Sequence, residues 1–206
     1  MNGGAMRDAW YPVGLLSALT SEGRESLLLG EPIEVIGPAS APKVIGADGR
    51  SLPTIQRFGH VWTSLGEPGT DLFTIPEIDH PDRTLVDVGV VRVKCSPLRA
   101  VENFLDIAHF PFVHTDILGD EAHPEVKDYR VEIREDTDEV WATKVAFYQP
   151  QAAKSAGGGL TTEYMYRVPA PTSAVLYKTC DYRVEIREDT DEVWATKVAF
   201  YQPQAA

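Results

Sequence analysis

Alternating apolar and polar residues recur along the chain and predict a protein built mainly from β-strands. The strongest alternation covers Thr84–Cys95 (TLVDVGVVRVKC), and shorter strand-like stretches cover Gly30–Ile36 and Phe58–Leu65. Because successive side chains of a strand point to opposite faces of a sheet, a period of two indicates a strand with one covered face. Between these stretches, Gly37–Pro53 is rich in Pro, Gly, Ala and Ser, which predicts a loop or linker.

An internal repeat fills the later part of the chain. The segment Asp128–Ala153 recurs letter for letter as Asp181–Ala206. Each copy predicts a β-hairpin, because two strand-like stretches flank an Asp-Thr-Asp turn. Structural repeats normally diverge in sequence, so we interpret the second copy as a recent duplication or an artefact rather than a functional tandem. It could add strands to a sheet or remain an unpaired hairpin, which is marginally stable in water.

One segment departs from the strand pattern. The sequence PLRAVENFLDIAHFPFVH, from Pro97 to His114, predicts a helix with Ser96 as its N-cap and Pro97 at its first position. Apolar residues recur at helical spacing within it, namely Leu98, Val101, Leu105 and Ala108. A single conspicuous helix among antiparallel strands indicates the α+β class.

The same segment carries the candidate chemistry. Asn103, Asp106 and His109 are spaced by three residues and therefore share one stripe of the helix. His114 follows five residues after His109, which places it about 140° around an ideal helix. Because Pro111 interrupts helical geometry between the two histidines, we expect a kink there that turns both imidazoles toward one centre.

Two neutral imidazoles are the nitrogen ligands of the facial triad that holds Fe(II) with open positions. Asp106 lies one turn before His109 and can accept the N–H of the ring nitrogen that does not bind metal. The alternative is that both histidines are ordinary helix-end residues and that Asp106 is a solvated acid. The complete spacing Asn-x2-Asp-x2-His-x4-His, with a proline between the histidines, favours the metal site.

The segment VENFLDIAHFPFVH resembles the mononuclear-iron motif of Rieske-type non-haem iron oxygenases. The similarity extends to AWYPVGLL (Ala9–Leu16), to RFGHVWTSLGEP (Arg57–Pro68) and to the run GDEAHPEVKDYRVE after the motif. It covers most of residues 9–180. The members that the chain resembles most are alpha-subunit monooxygenases and demethylases of aromatic compounds.

The resemblance implies a role for each residue of the motif. His109 and His114 would bind the mononuclear Fe(II). Asp106 would relay electrons from the [2Fe–2S] cluster of a neighbouring subunit, and Asn103 would line the iron site. The implied fold is a helix-grip (START-like) domain, an antiparallel sheet wrapped on a long carboxy-terminal helix, here incomplete at the carboxyl terminus. The implied partners are O₂, a small aromatic or hydrophobic substrate, an electron-transfer reductase or ferredoxin, and further copies of the chain in a trimer.

The resemblance implies three segments along the chain. Residues 1–56 would be an amino-terminal segment with a remnant of the Rieske-domain region. Residues 57–180 would form the catalytic domain portion, and residues 181–206 are the repeat. The repeat contributes no function to this interpretation.

The chain also departs from the family pattern. The family holds its cluster through Cys-x-His and Cys-x2-His pairs, whereas the two cysteines here, Cys95 and Cys180, belong to neither pattern. The carboxylate that serves as third iron ligand in the family has no counterpart. We therefore expect an iron-dependent oxygenase of the monooxygenase, dioxygenase or demethylase type, impaired without a cluster. The alternatives are a non-catalytic module that binds a hydrophobic ligand, and an accessory subunit that joins intact oxygenase subunits.

Composition narrows the list of partners. The 206 residues include 31 Asp and Glu against 19 Lys and Arg, which gives a formal net charge of -12. Such a chain repels phosphate backbones, so nucleic-acid binding is not expected. No apolar stretch approaches the roughly 20 residues of a membrane span, and we expect no membrane partner. Two cysteines make no disulfide framework, which favours a reducing, cytoplasmic location.

Overall fold

The computed structural model describes residues 6–79, 81, 84–87, 89–91, 93–153, 158–180 and 193–200. It divides into two compact units, one assigned residues 1–100 and 200–206 and the other residues 101–199. The predicted boundary between residues 56 and 57 falls inside a strand of the first unit, Thr54–Arg57. No helix among the described residues is long and apolar enough to cross a membrane.

The first unit contains two antiparallel sheets. One has the spatial order β1-β7-β6 and is formed by β1 (Tyr11–Leu15), β6 (Thr54–Arg57) and β7 (His60–Thr63). The other has the order β2-β3-β4-β5 and is formed by β2 (Arg24–Leu28), β3 (Glu31–Ile36), β4 (Lys43–Gly46) and β5 (Ser51–Leu52). Short 3₁₀ turns cover Leu16–Ala18 and Pro76–Asp79. The strands predicted within Gly30–Ile36 and Phe58–Leu65 are confirmed as β3 and β7.

The predicted loop at Gly37–Pro53 is wrong, because that stretch contains β4 and β5. Val44 and Leu52 belong to the buried core of the unit, and Val44 pairs with both Val35 and Leu52. Burial of these two side chains outweighs the turn-forming composition around them. The Gly and Asp residues between them form the tight turn of a hairpin, in which the Gly46 N–H donates to the Arg50 carbonyl.

The strand predicted at Thr84–Cys95 is also wrong. The described residues of this stretch form no strand, and its apolar side chains are 54–85% exposed, namely Leu85, Val86, Val90, Val91 and Val93. Alternation gives a segment the propensity for a strand, but the backbone N–H and C=O groups need a neighbouring strand to pair with. None of the described strands pairs with this segment.

The second unit is built on one five-stranded sheet with the order β12-β11-β10-β9-β8. Its strands are β8 (Arg130–Arg134), β9 (Glu139–Ala153), β10 (Gly158–Ala170), β11 (Ser173–Cys180) and β12 (Val193–Phe200). Strands β8 to β11 pair antiparallel with their neighbours in sequence. The hairpin predicted in the first repeat copy is confirmed, since β8 and β9 pair from Arg134↔Glu139 to Arg130↔Thr143.

The second repeat copy adds a strand to this sheet. Its segment VWATKVAF forms β12 beside β11, while the same eight residues of the first copy lie in β9. The first part of the second hairpin, residues 181–192, lies outside the described residues. The β10–β11 hairpin is therefore flanked on both sides by strands of identical sequence.

The helical segment differs from its prediction in where it breaks. Helix α1 covers Pro97–Leu105 and a four-residue helix, α2, covers Phe110–Val113. The break lies at Asp106 rather than at Pro111, because the Asp106 carboxylate accepts the Ala108 N–H at 2.8 Å and closes a turn. Pro111 occupies the first turn of α2, where its missing N–H costs no hydrogen bond.

Candidate metal site

Asp106 and His109 form a compact turn between the two helices. The Oδ2 atom of Asp106 lies 3.0 Å from Nδ1 of His109, while Oδ1 accepts the Ala108 N–H. An ionised carboxylate only accepts hydrogen bonds, so this contact places a proton on Nδ1 and leaves the lone pair on Nε2. The His109 side chain is 17% exposed and the Asp106 side chain 48% exposed. The turn therefore presents one imidazole with a fixed tautomer.

Helix α2 brings the second histidine back to the first. The Val113 N–H donates to the His109 carbonyl at 2.8 Å, and the His114 N–H donates to the Phe110 carbonyl at 3.1 Å. The two imidazole rings lie 5.2 Å apart, centre to centre, with an angle of 62° between their planes. Rings that share an ion at metal–nitrogen distances of about 2.1 Å have centres roughly 5 Å apart, so this separation fits a common ion.

The structure does not bring the whole predicted set together. Asn103 lies on the exposed side of α1, one turn before Asp106. Among the described residues, no group of three His, Cys, Asp or Glu side chains is placed to hold a metal ion. Two imidazoles, one of them oriented by a carboxylate, are thus the donors that this part of the chain supplies.

Three residues outside the motif hold the loop after His114 in place. The side-chain amides of Gln149 and Gln151, on β9, donate to the carbonyls of Leu118 and Asp116. A Cβ atom on Gly119 would lie 2.6 Å from the backbone nitrogen of Pro111, so only glycine permits this close approach. Sequence reasoning missed these residues, because their roles depend on contacts between distant segments.

A second Asp-x-Ala-His turn follows the site in the sequence. The Asp120 carboxylate accepts the Ala122 N–H at 2.9 Å and lies 3.1 Å from Nδ1 of His123. The backbone hydrogen bond from Ala122, followed by the His123 contact, lowers the pKa of Asp120. The His123 ring packs on Tyr148 with 4.5 Å between ring centres, and no other histidine ring among the described residues contacts it. A carboxylate therefore orients an imidazole in both turns, but of these two histidines only His109 has a neighbouring imidazole within the part of the chain that the structure describes.

The sheet forms an apolar support for the site. The core cluster of this unit contains Ile107, Val145, Phe147, Tyr164 and Tyr166. Phe110, which lies between the two histidines in sequence, packs edge-on against both imidazoles and against Phe147. Burial, assisted by the negative charge of Asp106, raises the pKa of Tyr166 far above its ordinary value. The tyrosine is therefore neutral at physiological pH.

Part of the chain, including the two histidines, matches the model of a known protein family. Residues 93–174 match the family described as the vanillate O-demethylase oxygenase C-terminal domain. The predicted resemblance to Rieske-type oxygenases and the predicted oxidoreductase ancestry are thereby confirmed.

A relative is similar to most of this chain in sequence. The chain is 42% identical over 176 residues to a protein of Pseudomonas sp. (strain TJI-51) described as a probable methylxanthine N7-demethylase, NdmC. The match covers 84% of this chain and 62% of that protein. The chain therefore spans less than two thirds of the relative's length.

Solved structures agree on the fold. A mutant of NdmA from Pseudomonas putida CBB5 with caffeine matches with a TM-score of 0.67 at 13% identity, over 98% of this chain and 70% of that one. Dicamba monooxygenase bound to dicamba matches with a TM-score of 0.62 at 15% identity, over 97% of this chain and 74% of that one. Both likenesses confirm the predicted antiparallel α+β class.

Proposed function

We propose that this chain is the catalytic portion of an iron-dependent oxygenase of the demethylase or monooxygenase type, acting on a small aromatic or otherwise hydrophobic substrate. The observation that carries the proposal is the pairing of His109 with His114, whose ring centres lie 5.2 Å apart. The hydrogen bond from His109 to Asp106 supports it, since metal-binding histidines commonly donate their second N–H to a carboxylate.

His109 and His114 would hold a mononuclear Fe(II), whose chemistry when bound is the one-electron activation of O₂. Asp106 keeps the His109 proton on Nδ1 and so keeps Nε2 available as a donor. Phe110 restricts both rings by edge-on packing. Asn103 would line the approach to the site from α1.

Electrons would come from outside the described site. Neither Cys95 nor Cys180 belongs to a Cys-x-His or Cys-x2-His pair, so a [2Fe–2S] cluster has no ligand set of the family's kind in this sequence. We infer that a cluster on a neighbouring subunit, a ferredoxin or a reductase supplies them. Asp106 is half exposed and bonded to His109, which suits the relay role that the family resemblance implies. The chain would act as a homotrimer in the cytoplasm. Residues 1–56 would be the remnant of a cluster-bearing region.

A second candidate is a non-catalytic module that binds a hydrophobic ligand. The observation in its favour is that the described residues provide two metal ligands rather than three. Two neutral donors leave the charge of Fe(II) uncompensated, so metal affinity would be low. An antiparallel sheet packed on α1 could still enclose an apolar ligand.

Anaerobic loading with Fe(II) distinguishes the two candidates. Metal analysis after desalting, with an EPR spectrum of the nitrosyl adduct, reports both the amount of iron and its open coordination positions. Iron near one per chain, with a nitrosyl signal, supports the oxygenase proposal. A chain that retains no iron but co-purifies with a hydrophobic ligand would support the binding module and reject the iron site.

A further inference from the structure

Strand β8 forms one edge of the five-stranded sheet. It pairs with β9 on one side, and no other described strand lies on its outer side. Three apolar side chains on this strand and just before it are 48–67% exposed, namely Tyr129, Val131 and Ile133. An exposed edge strand offers its backbone N–H and C=O groups to a further strand, which can add to the sheet through main-chain hydrogen bonds.

The two faces of this strand carry different side chains. Because side chains alternate between the faces, the three apolar residues share one face. Ala142, which pairs with Val131, packs against the core cluster on that face. The other face carries a row of four charged residues, in the order Asp128, Arg130, Glu132 and Arg134. The signs of the charges alternate along this row, so the strand is complementary in charge to an antiparallel copy of itself.

This complementarity selects one register. With a two-fold axis at Val131, each Arg130 lies opposite Glu132 of the second copy, and the two Val131 side chains lie opposite each other. The flanking pairs match in the same way, namely Tyr129 with Ile133 and Asp128 with Arg134. Unlike charges or apolar side chains directly opposite each other stabilise an antiparallel pair, whereas like charges destabilise it. An axis at Arg130 or at Glu132 would place that residue opposite its own copy, so like charges would meet.

We propose that strand β8 binds β8 of a second copy of this chain, antiparallel about Val131, so that two five-stranded sheets join into one. The contact involves neither of the proposed iron ligands and goes beyond the proposed function. Two copies with a formal net charge of -12 each repel one another, so their association depends on attraction at this edge. Within one chain an Arg130 nitrogen lies 2.9 Å from the Glu132 carboxylate. In the pair of strands, both groups also meet the opposite charge across the axis.

Two charge-reversal variants of the full chain test the pairing and its register. Arg130→Glu places carboxylates opposite each other at two positions of the pair, and Glu132→Arg does the same with guanidinium groups. We expect each variant alone to associate about tenfold or more weakly than the parent. An equimolar mixture should associate as the parent does, because the two altered rows are complementary to each other.

Sedimentation equilibrium at physiological salt measures this association as an average mass. An interface of one strand pair is small, so we expect the parent to approach twice its dilute mass at chain concentrations of about 10–100 µM. The repeat supplies matched controls, because Arg183 and Glu185 have the same sequence neighbours as Arg130 and Glu132 but lie outside the described residues. Arg183→Glu and Glu185→Arg change the net charge by the same amounts and should leave the association as in the parent.

A Val131→Cys variant gives an independent measurement. Directly opposite residues of an antiparallel pair have Cβ atoms about 4.5–5.5 Å apart, so a small adjustment allows a disulfide between the copies. We expect mild oxidation to cross-link this variant and not the parent, which retains the exposed Cys95. The cross-link does not depend on the reversal variants, so it decides the question if one of them fails to fold.

Several results would overturn the proposal. The parent could keep its dilute mass over the whole concentration range, or the reversal variants could associate as well as the parent. The mixture could associate no better than its components, or the substitutions in the second repeat copy could abolish association while those in β8 do not. An absence of cross-linking in Val131→Cys would equally reject a two-fold axis at this residue.

Discussion

At the scale of single residues, the site depends on which imidazole has a neighbour. His109 and His123 both follow an Asp-x-Ala-His turn with the same two hydrogen bonds from the aspartate. The His109 ring lies beside that of His114, whereas the His123 ring packs on Tyr148. Orientation by a carboxylate is therefore common to both turns, and among the described residues the first turn alone has a second imidazole beside it.

This difference provides a matched control for metal binding. We expect His109→Ala and His114→Ala each to abolish Fe(II) binding, because a single imidazole at an exposed site holds the ion too weakly. His123→Ala removes a similar carboxylate-oriented ring and should leave Fe(II) binding unchanged. Iron content after anaerobic loading and desalting measures all three. Retention of iron by both of the first two variants would show that the ion binds elsewhere.

At the scale of elements, the turn into α2 depends on a glycine outside the motif. The Cα of Gly119 faces the backbone of Phe110 and Pro111, and an added Cβ would lie 2.6–2.8 Å from their atoms. These are backbone atoms, so the strain cannot be relieved by a side-chain rotation. The position of His114 is in this way linked to the loop that follows it.

We expect Gly119→Ala to destabilise the fold by about 1–3 kcal/mol and to lower Fe(II) affinity, because α2 must shift. Gly69→Ala is the control, since an added Cβ there meets nothing within 4 Å. Urea unfolding and Fe(II) titration of both variants provide the comparison. If the two alanine variants behaved alike, the close approach at Gly119 would be without consequence.

A buried ion pair links the first residue of β9 to β10. Glu139 and Arg167 are 6% and 7% exposed, with Arg167 Nε donating to Glu139 Oε2 at 2.8 Å. Trp141 donates to the same carboxylate, and the Arg134 guanidinium lies over the Trp141 ring. Burial alone would raise the pKa of Glu139, but the hydrogen bond and charge of Arg167 outweigh it, and the pKa is lowered from 4.5.

We expect Glu139→Gln to cost about 3 kcal/mol or more at pH 7, because it leaves the Arg167 charge buried and uncompensated. The stabilisation by Glu139 is complete above the unfolded pKa of 4.5 and disappears as the pH falls below it, through the lowered folded value. Urea unfolding at pH 7 and at lower pH should show the parent and variant converging. Glu132→Gln, which removes a more exposed pair with Arg130, should change stability by about 0.5 kcal/mol or less.

At the scale of the whole molecule, the proposed function depends on a supply of electrons. The sequence carries the proposed iron-binding motif but no Cys-x-His or Cys-x2-His pair. O₂ activation at a mononuclear iron requires a one-electron donor close by. We therefore expect this chain, loaded with Fe(II) and supplied only with an NADH-dependent reductase, to show no turnover at ordinary enzyme rates of about 1 s⁻¹ or more.

Product formation coupled to substrate is the measurement, with NADH oxidation in the absence of substrate as the control. Addition of an intact, cluster-bearing oxygenase subunit should raise product formation if the chain joins such an assembly. Ordinary rates with the reductase alone would refute the expectation and show that electrons reach the iron by a route without a cluster.

Local sequence patterns were sufficient to predict several elements of this protein. The hairpin of β8 and β9 was predictable because alternation and an Asp-rich turn act over few residues. The residue types and spacing from Asn103 to His114 were sufficient to propose a metal site, which stays a prediction. The contact between Asp106 and His109 also followed from sequence, since residues three apart in a turn are neighbours.

Tertiary structure decided the rest, because the outcome depended on partners that are distant in sequence. The stretch predicted as a loop forms strands because Val44 and Leu52 are buried in a core. The stretch Thr84–Cys95 forms no strand among its described residues, because no described strand pairs with it. The helix ended at Leu105 because the Asp106 carboxylate competes for backbone N–H groups. The sequence by itself thus determined the resemblance to Rieske-type oxygenases and the residues that are candidates for the site. The convergence of the two imidazoles, the close contact at Gly119 and the burial of the Tyr166 hydroxyl required the packed fold, since each arises from atoms that only the fold brings together.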